Sequence, residues 1–366
     1  MSGQMRSTMA TTDQPLVSVL TPVYNGAAYL AECIESVLRQ TYQNYEYIIV
    51  NNCSTDATLT IAEEYAAKDS RIRIHSNQEF VGVIDNHNIA FSLMAPAARY
   101  SKIVSADDFI FPSCLAQMVD VCEANPSVGI VGSYQLSGDV VRWQGFAYPQ
   151  AVLAGRDMGR RCILGPQVFW EGKPLVGFGS PTSLMYRADL VRSNPSFYPN
   201  QSPHSDTSAC FKILQTSDFG FVYEVLSYER THAETQTSTS QEINRYAPQT
   251  LSDLIEYGAF YLSKDELEQQ IQETLKYYHR FLAVNYCVGR KDKKFWDYHR
   301  SRLIELGYPL TRGRLLKTAA MTVLEESVNP ALALGKLRKY LSRRSRRSAV
   351  AVAERNMAAN KSLAKC

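Results

Sequence analysis

Short apolar runs alternate with amphipathic segments over the first third of the chain. Five such runs predict buried strands, at 16–20, 45–50, 71–75, 101–104 and 128–132. The stretches between them carry apolar residues at helical spacing, which predicts helices at 27–40, 57–67, 85–94 and 112–124. Strands that alternate with helices of this length indicate βαβ units and a mostly parallel sheet flanked by helices. Right-handed crossovers bring the carboxyl ends of such strands to one edge, where ligands bind.

The second half of the chain is less regular and then becomes helical. Between residues 136 and 228 the pattern predicts strands at 184–186 and 219–227 around a helix at 207–216. After residue 241 it predicts helices almost throughout, at 244–260, 263–288, 292–306, 312–328 and 331–343. We therefore expect a disordered N-terminus at 1–15, an α/β domain at 16–240, a helical C-terminal extension at 241–345 and a frayed basic tail at 346–366.

Charge is distributed unevenly along a chain that is nearly neutral overall. The 366 residues are 45% hydrophobic and 20% charged, which excludes collagen-like and disordered classes, and the net charge is +3. Residues 1–311 hold 26 basic and 33 acidic side chains, whereas residues 312–366 hold 13 basic and 3 acidic ones. The basic amphipathic helices of the second segment suit either an anionic membrane surface or packing against the body of the protein. Few aromatic residues interleave with these charges, so nucleic acid is not an expected partner.

Cysteines and apolar segments give the expected compartment. The eight cysteines include no C-x-x-C pair, which disfavours a structural metal site and is typical of buried thiols in a reducing compartment. No apolar run approaches the roughly 18 residues that a membrane span requires. The first fifteen residues lack the apolar core of a signal peptide. We expect a cytoplasmic protein, with peripheral contact at the inner face of the cell membrane if the basic helices bind lipid.

Polar residues follow three of the predicted strands, and the most informative are two adjacent carboxylates. Asp107 and Asp108 come after the run at 101–104 and could together hold one divalent cation, Mg²⁺ or Mn²⁺, that in turn binds a diphosphate. The alternative is that they cap the helix that follows. The chain has neither G-x-G-x-x-G nor G-x-x-x-x-G-K-[ST], which disfavours a dehydrogenase or a P-loop enzyme. A bound diphosphate would therefore depend on a metal ion.

Three ordered segments resemble glycosyltransferase family 2. They are VSVLTPVYNGAAY at 17–29, EYIIVNNCSTDAT at 46–58 and SADDFIFP at 105–112, and the similarity extends over residues 16–234. The resemblance implies a GT-A type, Rossmann-like α/β fold and inverting transfer of a sugar from a nucleoside-diphosphate donor, with UDP as the expected nucleotide. It also implies a saccharide or lipid-linked acceptor in the synthesis of a bacterial surface glycan.

The same resemblance implies roles for individual residues in donor binding. The donor-binding positions fall on Thr21, Tyr24, Asn51, Asn52, Gly82, Asn88 and Asp107. Tyr24 would stack on the nucleobase or remain a half-exposed loop residue. Asn51 stands where the family usually has Asp, although its amide oxygen can still accept the ring N–H of uracil. Asp108 would be the more direct metal ligand and Asp107 would contact the ribose or the metal.

The resemblance also places the catalytic base and a third metal ligand. Asp206 would accept the proton of the acceptor hydroxyl, with Ser205 in the place of the usual Glu. The alternatives are that Asp206 only caps a helix or that His204 is the base. His232 would touch the metal or the diphosphate, or would be a solvated loop residue. Trp170 or Phe178 could stack on the acceptor sugar.

Two classes of function remain open. The first is a metal-dependent glycosyltransferase, which the retention of Asp108 and Asp206 favours. The second is a non-catalytic nucleotide-sugar-binding or scaffold protein that kept the fold. The Asn51-Asn52 pair favours this second class, as does Ser105, which replaces another Asp of the family.

Overall fold

One mixed sheet organises the N-terminal part of the chain. The computed structural model describes residues 14–142, 150–165, 177–202, 204–230, 244–290 and 292–328. Within these residues ten strands form the sheet: β1 Val17–Val23, β2 Tyr45–Asn51, β3 Ile72–Ser76, β4 Tyr100–Ile103, β5 Phe109–Ile110, β6 Val128–Ser137, β7 Val140–Arg142, β8 Val152–Leu153, β9 Leu184–Arg187 and β10 Asp218–Glu229.

Helices flank the sheet, and all the described elements after β10 are helices. Those in the α/β part are α1 Leu30–Leu38, α2 Thr58–Ala66, α3 Val83–Ser92, α4 Cys114–Ala124, α5 Gly155–Leu164, α6 Ala188–Arg192 and α7 Ser205–Ile213. They are followed by α8 Tyr246–Tyr261, α9 Lys264–Cys287, α10 Lys293–Glu305 and α11 Arg312–Val328. The predicted helix at 331–343 lies outside the described residues.

The sheet confirms the predicted α/β architecture, in two parallel blocks. The strand order is β3-β2-β1-β4-β9-β6-β10-β5. The first four strands pair in parallel, as do β6 and β10. β9 runs antiparallel to both β4 and β6 and joins the blocks. The carboxyl ends of β1, β2 and β4 consequently meet at one edge, as the sequence predicted.

Strand β1 continues past its predicted end and includes Thr21. Its register with β4 ends at Leu20, whereas its register with β2 continues to Val23. Pro22 has no backbone N–H to donate, and it is tolerated here because no strand pairs with that side of β1 beyond Leu20. Thr21 is therefore a buried strand residue, one position beyond the strand end predicted at residue 20.

Two apolar clusters fill the spaces between the sheet and its helices. One contains Val17, Val19 and Tyr47 of the sheet and Ile34 and Leu115 from α1 and α4. The other contains Leu20, Ile48 and Tyr186 with Phe91 of α3 and Phe211 of α7. The alternation along β1 and β2 sends successive side chains to opposite faces, so both faces of the sheet are covered.

Two compact units divide the chain at residues 272 and 273. The first unit includes the sheet and continues through α8, which packs against α7 through Tyr257 on Phe211 with ring centroids 5.8 Å apart. In the second unit, Tyr278 and His299 form a buried hydrogen bond of 2.6 Å between helices α9 and α10. No helix in the described ranges is both long and apolar enough to cross a membrane.

Candidate active site at the carboxyl edge of the sheet

Hydrogen bonds join the loops that follow β1 and β2 into one unit. Asn25 adopts φ 49° and its Oδ1 accepts a hydrogen bond from the backbone of Thr55 at 2.8 Å. In the opposite direction, Asp56 Oδ2 accepts one from the backbone of Ala27 at 3.0 Å. Asn is among the few residues that adopt this left-handed conformation readily. The two loops therefore hold each other in place at the edge of the sheet.

An exposed aromatic pair stands on this edge. Tyr24 is 49% exposed, and its ring lies edge-on to that of Phe80, with centroids 4.8 Å apart. Phe80 is 60% exposed and lies in the loop after β3. In the strand order, β3 stands three positions from β4. Exposed aromatic faces of this kind accept a stacked base. Phe80 was not identified from the sequence, because a single Phe in a polar loop carries no periodic signal.

Both asparagines after β2 are buried and hydrogen-bonded within the protein. Asn51 Oδ1 accepts from the backbone of Ser54 at 3.1 Å, while Asn52 Oδ1 accepts from the backbone of Val81 at 3.0 Å. The Asn77 side chain donates to Asn52 Oδ1 at 3.0 Å. A carbonyl oxygen has two lone pairs, so Asn51 Oδ1 retains the capacity to accept one further donor.

Thr21, Gly82 and Asn88 occupy structural positions around these loops. The Thr21 hydroxyl donates to the carbonyl of Val104 at 2.8 Å, so its hydrogen is already engaged within the protein. Asn88 pairs both ways with the backbone of Tyr198, at 2.9 and 3.0 Å, and so fixes α3 to the loop before α7. Gly82 precedes α3, and a side chain there would approach Asp85 Oδ2 at 3.0 Å.

The acidic pair is held at the centre of the edge. Asp108 is 6% exposed; its Oδ2 accepts from Thr182 Oγ1 at 2.7 Å and its Oδ1 from the backbone of Arg230 at 3.0 Å. Arg230 Nε also donates to the carbonyl oxygen of Asp107 at 3.0 Å. Burial, reinforced by the charge of Asp107, raises the pKa of Asp108 to about 8. The predicted pair is therefore a buried acid, Asp108, next to the partly exposed Asp107, and it does not cap α4, which begins at Cys114.

A divalent cation fits this donor set. Asp107, Asp108 and Glu229 repel one another electrostatically, and burial together with Asp107 also raises the pKa of Glu229. A cation would relieve this repulsion. Among the described residues no group of three acidic, His or Cys side chains has the arrangement of a closed metal site. Two carboxylates alone suit Mg²⁺ or Mn²⁺ that takes further ligands from phosphates and water. His232, the third predicted ligand, lies outside the described residues.

Asp206 lies in the first turn of α7, one residue after Ser205. The helix begins earlier than predicted and His204 precedes it, so Asp206 is not the capping residue. Burial raises the pKa of the Asp206 carboxyl to about 6. Burial lowers the pKa of the His204 imidazole to about 4, and its ring packs on Tyr246 at 4.5 Å. The carboxylate is thus the stronger proton acceptor of the two near neutral pH.

Of the two residues predicted to stack on the acceptor sugar, only Phe178 lies within the described residues. Phe178 is 1% exposed and packs edge-on against Phe211 at 4.9 Å, so it belongs to the core and does not present a face to a sugar. Trp170 lies outside the described residues. Thr182 and the buried Lys102, whose ammonium donates to the carbonyl of Leu184 at 3.0 Å, were not identified from the sequence.

Comparison with known proteins agrees with this geometry. Residues 18–191 match the family model described as Glycosyl transferase family 2. An uncharacterized glycosyltransferase from Haemophilus influenzae is 39% identical over 120 residues, which cover 33% of this chain and 36% of that protein. The chain spans about a third of the length of the first curated relatives it matches.

Solved structures share the fold at low sequence identity. Residues 1–349 of S. aureus TarS, crystallised with UDP-GlcNAc, superimpose with a TM-score of 0.55 at 17% identity, covering 79% of this chain and 80% of that one. The mannosyltransferase PcManGT from Pyrobaculum calidifontis, in complex with GDP-Man and Mn²⁺, gives a TM-score of 0.50 at 16% identity, covering 86% and 89%.

The mixed sheet and these likenesses define a GT-A fold with a helical C-terminal region. Residues 18–191 of the chain are therefore similar to glycosyl transferase family 2.

Proposed function

We propose that this protein is an inverting, metal-dependent glycosyltransferase that takes its sugar from UDP. The observation that carries the proposal is the Asp107-Asp108 pair at the carboxyl edge of the sheet, with Asp108 buried and Asp107 partly exposed, beside loops that present Tyr24 and Phe80. TarS, bound to UDP-GlcNAc, shares the fold and supports UDP as the nucleotide. PcManGT, bound to GDP-Man and Mn²⁺, supports the cation and leaves GDP as the competing nucleotide.

In this mechanism the donor lies across the carboxyl edge. The aromatic rings of Tyr24 and Phe80 contact the base, and the free lone pair of Asn51 accepts its ring N–H. Asp107 and Asp108 would hold a divalent cation, which would supply positive charge against the charge that develops on the departing diphosphate. Thr182 and the backbone of Arg230 hold the Asp108 carboxyl group in one orientation.

Asp206 acts on the acceptor in the same step. Its carboxylate accepts the proton of the acceptor hydroxyl while that oxygen forms a bond to the anomeric carbon of the sugar. The bond from the anomeric carbon to the diphosphate oxygen breaks, and its electron pair leaves with the nucleoside diphosphate. A pKa raised to about 6 by burial makes Asp206 a better proton acceptor than an ordinary carboxylate, while it remains ionised at neutral pH.

The acceptor class and the cell-envelope role are inferred from family resemblance and from the basic C-terminal segment. Helix α11 exposes Leu316, Met321 and Leu324 together with Lys317 and Arg314. Apolar and basic side chains exposed on one helix suit the surface of an anionic membrane. We propose a lipid-linked or saccharide acceptor of a bacterial surface glycan, reached by peripheral contact with that membrane.

A screen of nucleotide sugars tests the proposal. We expect one UDP-sugar to raise the thermal midpoint of the purified chain only when Mn²⁺ or Mg²⁺ is present, and to be hydrolysed or transferred slowly. Asp108→Ala should remove the cation-dependent stabilisation, whereas Asp120→Ala, an exposed acid on α4, should keep it. Cation-dependent binding of a UDP-sugar without turnover towards any acceptor or water would support the non-catalytic alternative.

A further inference from the structure

A buried polar cluster connects the helix that carries Asp206 to the helix that packs on it. Asp253 of α8 is 3% exposed, and its Oδ1 accepts from Ser208 Oγ of α7 at 2.6 Å. The same oxygen accepts from Gln249 Nε2 at 3.0 Å, and Gln249 also donates to Ser208 Oγ at 3.3 Å. Three polar side chains thus share one set of hydrogen bonds between the two helices, and Asn200 Nδ2 also donates to Ser208 Oγ at 3.2 Å.

The carboxyl group of Asp253 is a costly choice for such a position. Within the described residues no Lys, Arg or His forms an ion pair with it, so its charge is offset only by neutral donors. Burial, reinforced by the charges of Glu256 and Asp206, raises the pKa of Asp253 to about 7. A neutral Asn would give the same two hydrogen bonds at a smaller desolvation cost. What position 253 supplies to α7 is therefore an acceptor oxygen at a fixed place in the α7–α8 contact.

Ser208 makes this contact mechanically relevant to Asp206. The two residues lie two positions apart in the first turns of α7, so the rotation of the helix about its axis fixes them together. The ring of His204 rests on Tyr246, at the start of α8, 4.5 Å away. Two contacts from α8 therefore hold the beginning of α7, one on each side of Asp206.

We propose that Asp253 is a positioning residue for the catalytic base: its carboxyl locks the first turns of α7 against α8 and so aims Asp206 at the acceptor hydroxyl. The inference rests on the proposed function, because it assigns Asp253 to the reaction through Asp206. It contacts neither donor nor acceptor itself.

The first test compares two substitutions at position 253. Asp253→Ala removes the acceptor oxygen, and we expect kcat to fall by about tenfold or more because a base displaced by a fraction of an ångström loses its alignment. The KM for the donor and the affinity for UDP with Mn²⁺ should stay within about twofold of the parent. Asp253→Asn keeps an acceptor oxygen and should restore most of kcat. Parent-like kcat in Asp253→Ala, or an Asn variant as slow as the Ala variant, would overturn the proposal.

Two further variants serve as a partner and a control. Ser208→Ala cuts the same link from α7 and should lower kcat to a similar extent, with no additional loss in the Asp253→Ala, Ser208→Ala double variant. Glu256→Gln removes an exposed charge one turn along α8 and should leave kcat unchanged. Additive losses in the double variant would contradict a shared link.

Hydrogen exchange separates this inference from the proposed function. In Asp253→Ala the amides of α7 should exchange faster while those of α2 do not change, whether or not a substrate has been found. If Asp206→Asn retained full transfer activity, the assignment of the base would fall. If Asp206→Asn were inactive while Asp253→Ala showed parent exchange and parent kcat, only the role of Asp253 would fall.

Discussion

Thr182 donates its hydroxyl hydrogen to Asp108 Oδ2 at 2.7 Å, and its own backbone carbonyl accepts a hydrogen bond from the buried ammonium of Lys102. Lys102 of β4 therefore holds the backbone of Thr182 in place, and the Thr182 hydroxyl in turn holds Asp108 on the loop that follows β4. Lys102 is fully buried, so its charge lies inside the fold and not in the solvent around the site. This arrangement orients Asp108 before any ligand arrives, which is the property that a metal-binding carboxylate requires.

Removing the hydroxyl of Thr182 should weaken cation-dependent binding of UDP. Thr182→Val keeps the shape of the side chain and the carbonyl that Lys102 needs, but it removes the donor to Asp108. A hydrogen bond to a charged group contributes about 1.5–3 kcal/mol, so we expect a loss of roughly tenfold or more in UDP affinity with Mn²⁺ by calorimetry. Thr182→Ser retains the hydroxyl and should bind as the parent does; equal affinity of the Val variant would show that Asp108 is oriented without it.

The pH dependence of transfer should follow the ionisation of Asp206. The base acts only as a carboxylate, and burial raises its pKa to about 6, so kcat/KM should fall about tenfold per pH unit below that value. Asp206→Asn should reduce transfer by about 10²–10⁴-fold while UDP binding persists, since the donor site keeps all its residues. A His204→Gln variant with the same loss would move the assignment to His204.

The aromatic pair should contribute to binding of any base. Stacking contributes about 1–3 kcal/mol per base, so Tyr24→Ala should weaken UDP and GDP by similar factors of roughly tenfold. Phe80→Ala should do the same to a smaller degree, because Phe80 supports the edge of the Tyr24 ring. Tyr223, an exposed tyrosine of β10, provides the control as Tyr223→Ala. A loss confined to UDP would indicate hydrogen bonding to the base instead of stacking.

Asp253 should make the protein less stable as the pH rises. Its folded pKa of about 7 lies above that of a solvated Asp, so the folded state holds a proton that the unfolded chain has released between about pH 4 and 7. The free energy of unfolding therefore falls as the pH rises from about 4 to about 7, and this destabilisation persists at higher pH. Asp253→Asn has no carboxyl group to ionise, so this destabilisation is absent. The thermal midpoint of the variant should therefore exceed that of the parent by more at pH 8 than at pH 5. A difference that does not change with pH would show that Asp253 is not buried as an acid.

The sequence predicted the sheet and most helices because each follows from a local period. The strand at 45–50 and the helices at 244–260, 263–288, 292–306 and 312–328 were found in this way, within about two residues of their observed ends, whereas the strand predicted at 128–132 continues to Ser137. Helix α5 was missed because its surface is polar, and its Gly159 packs directly under Tyr261 from a helix about 100 residues away. Long-range contacts of this kind leave no local pattern.

The candidate site divides in the same way. Asp107, Asp108 and Asp206 were predicted because the resemblance is carried by short segments around them. Lys102 was missed because a lysine in the run YSKI suggests a solvent-facing position. In the structure its side chain is buried, and its ammonium donates to the carbonyls of residues 182 and 184. Asp253 was missed because an acid on a helix is normally exposed. These residues acquire their roles only when distant segments meet, so the sequence alone could not assign them.

Exposed side chains of α11 should mediate contact with an anionic membrane. Leu316 and Leu324 are 52% and 66% exposed, so replacing both with Ser removes apolar surface without opening the interior. We expect the Leu316→Ser, Leu324→Ser variant to bind less to phosphatidylglycerol vesicles in sedimentation, with its thermal midpoint unchanged. A matched Ile304→Ser variant removes a side chain that is 65% exposed on α10 and should bind like the parent. Binding that falls with added salt but not with the α11 substitutions would assign the contact to the basic residues alone, because salt screens charge and leaves apolar insertion intact.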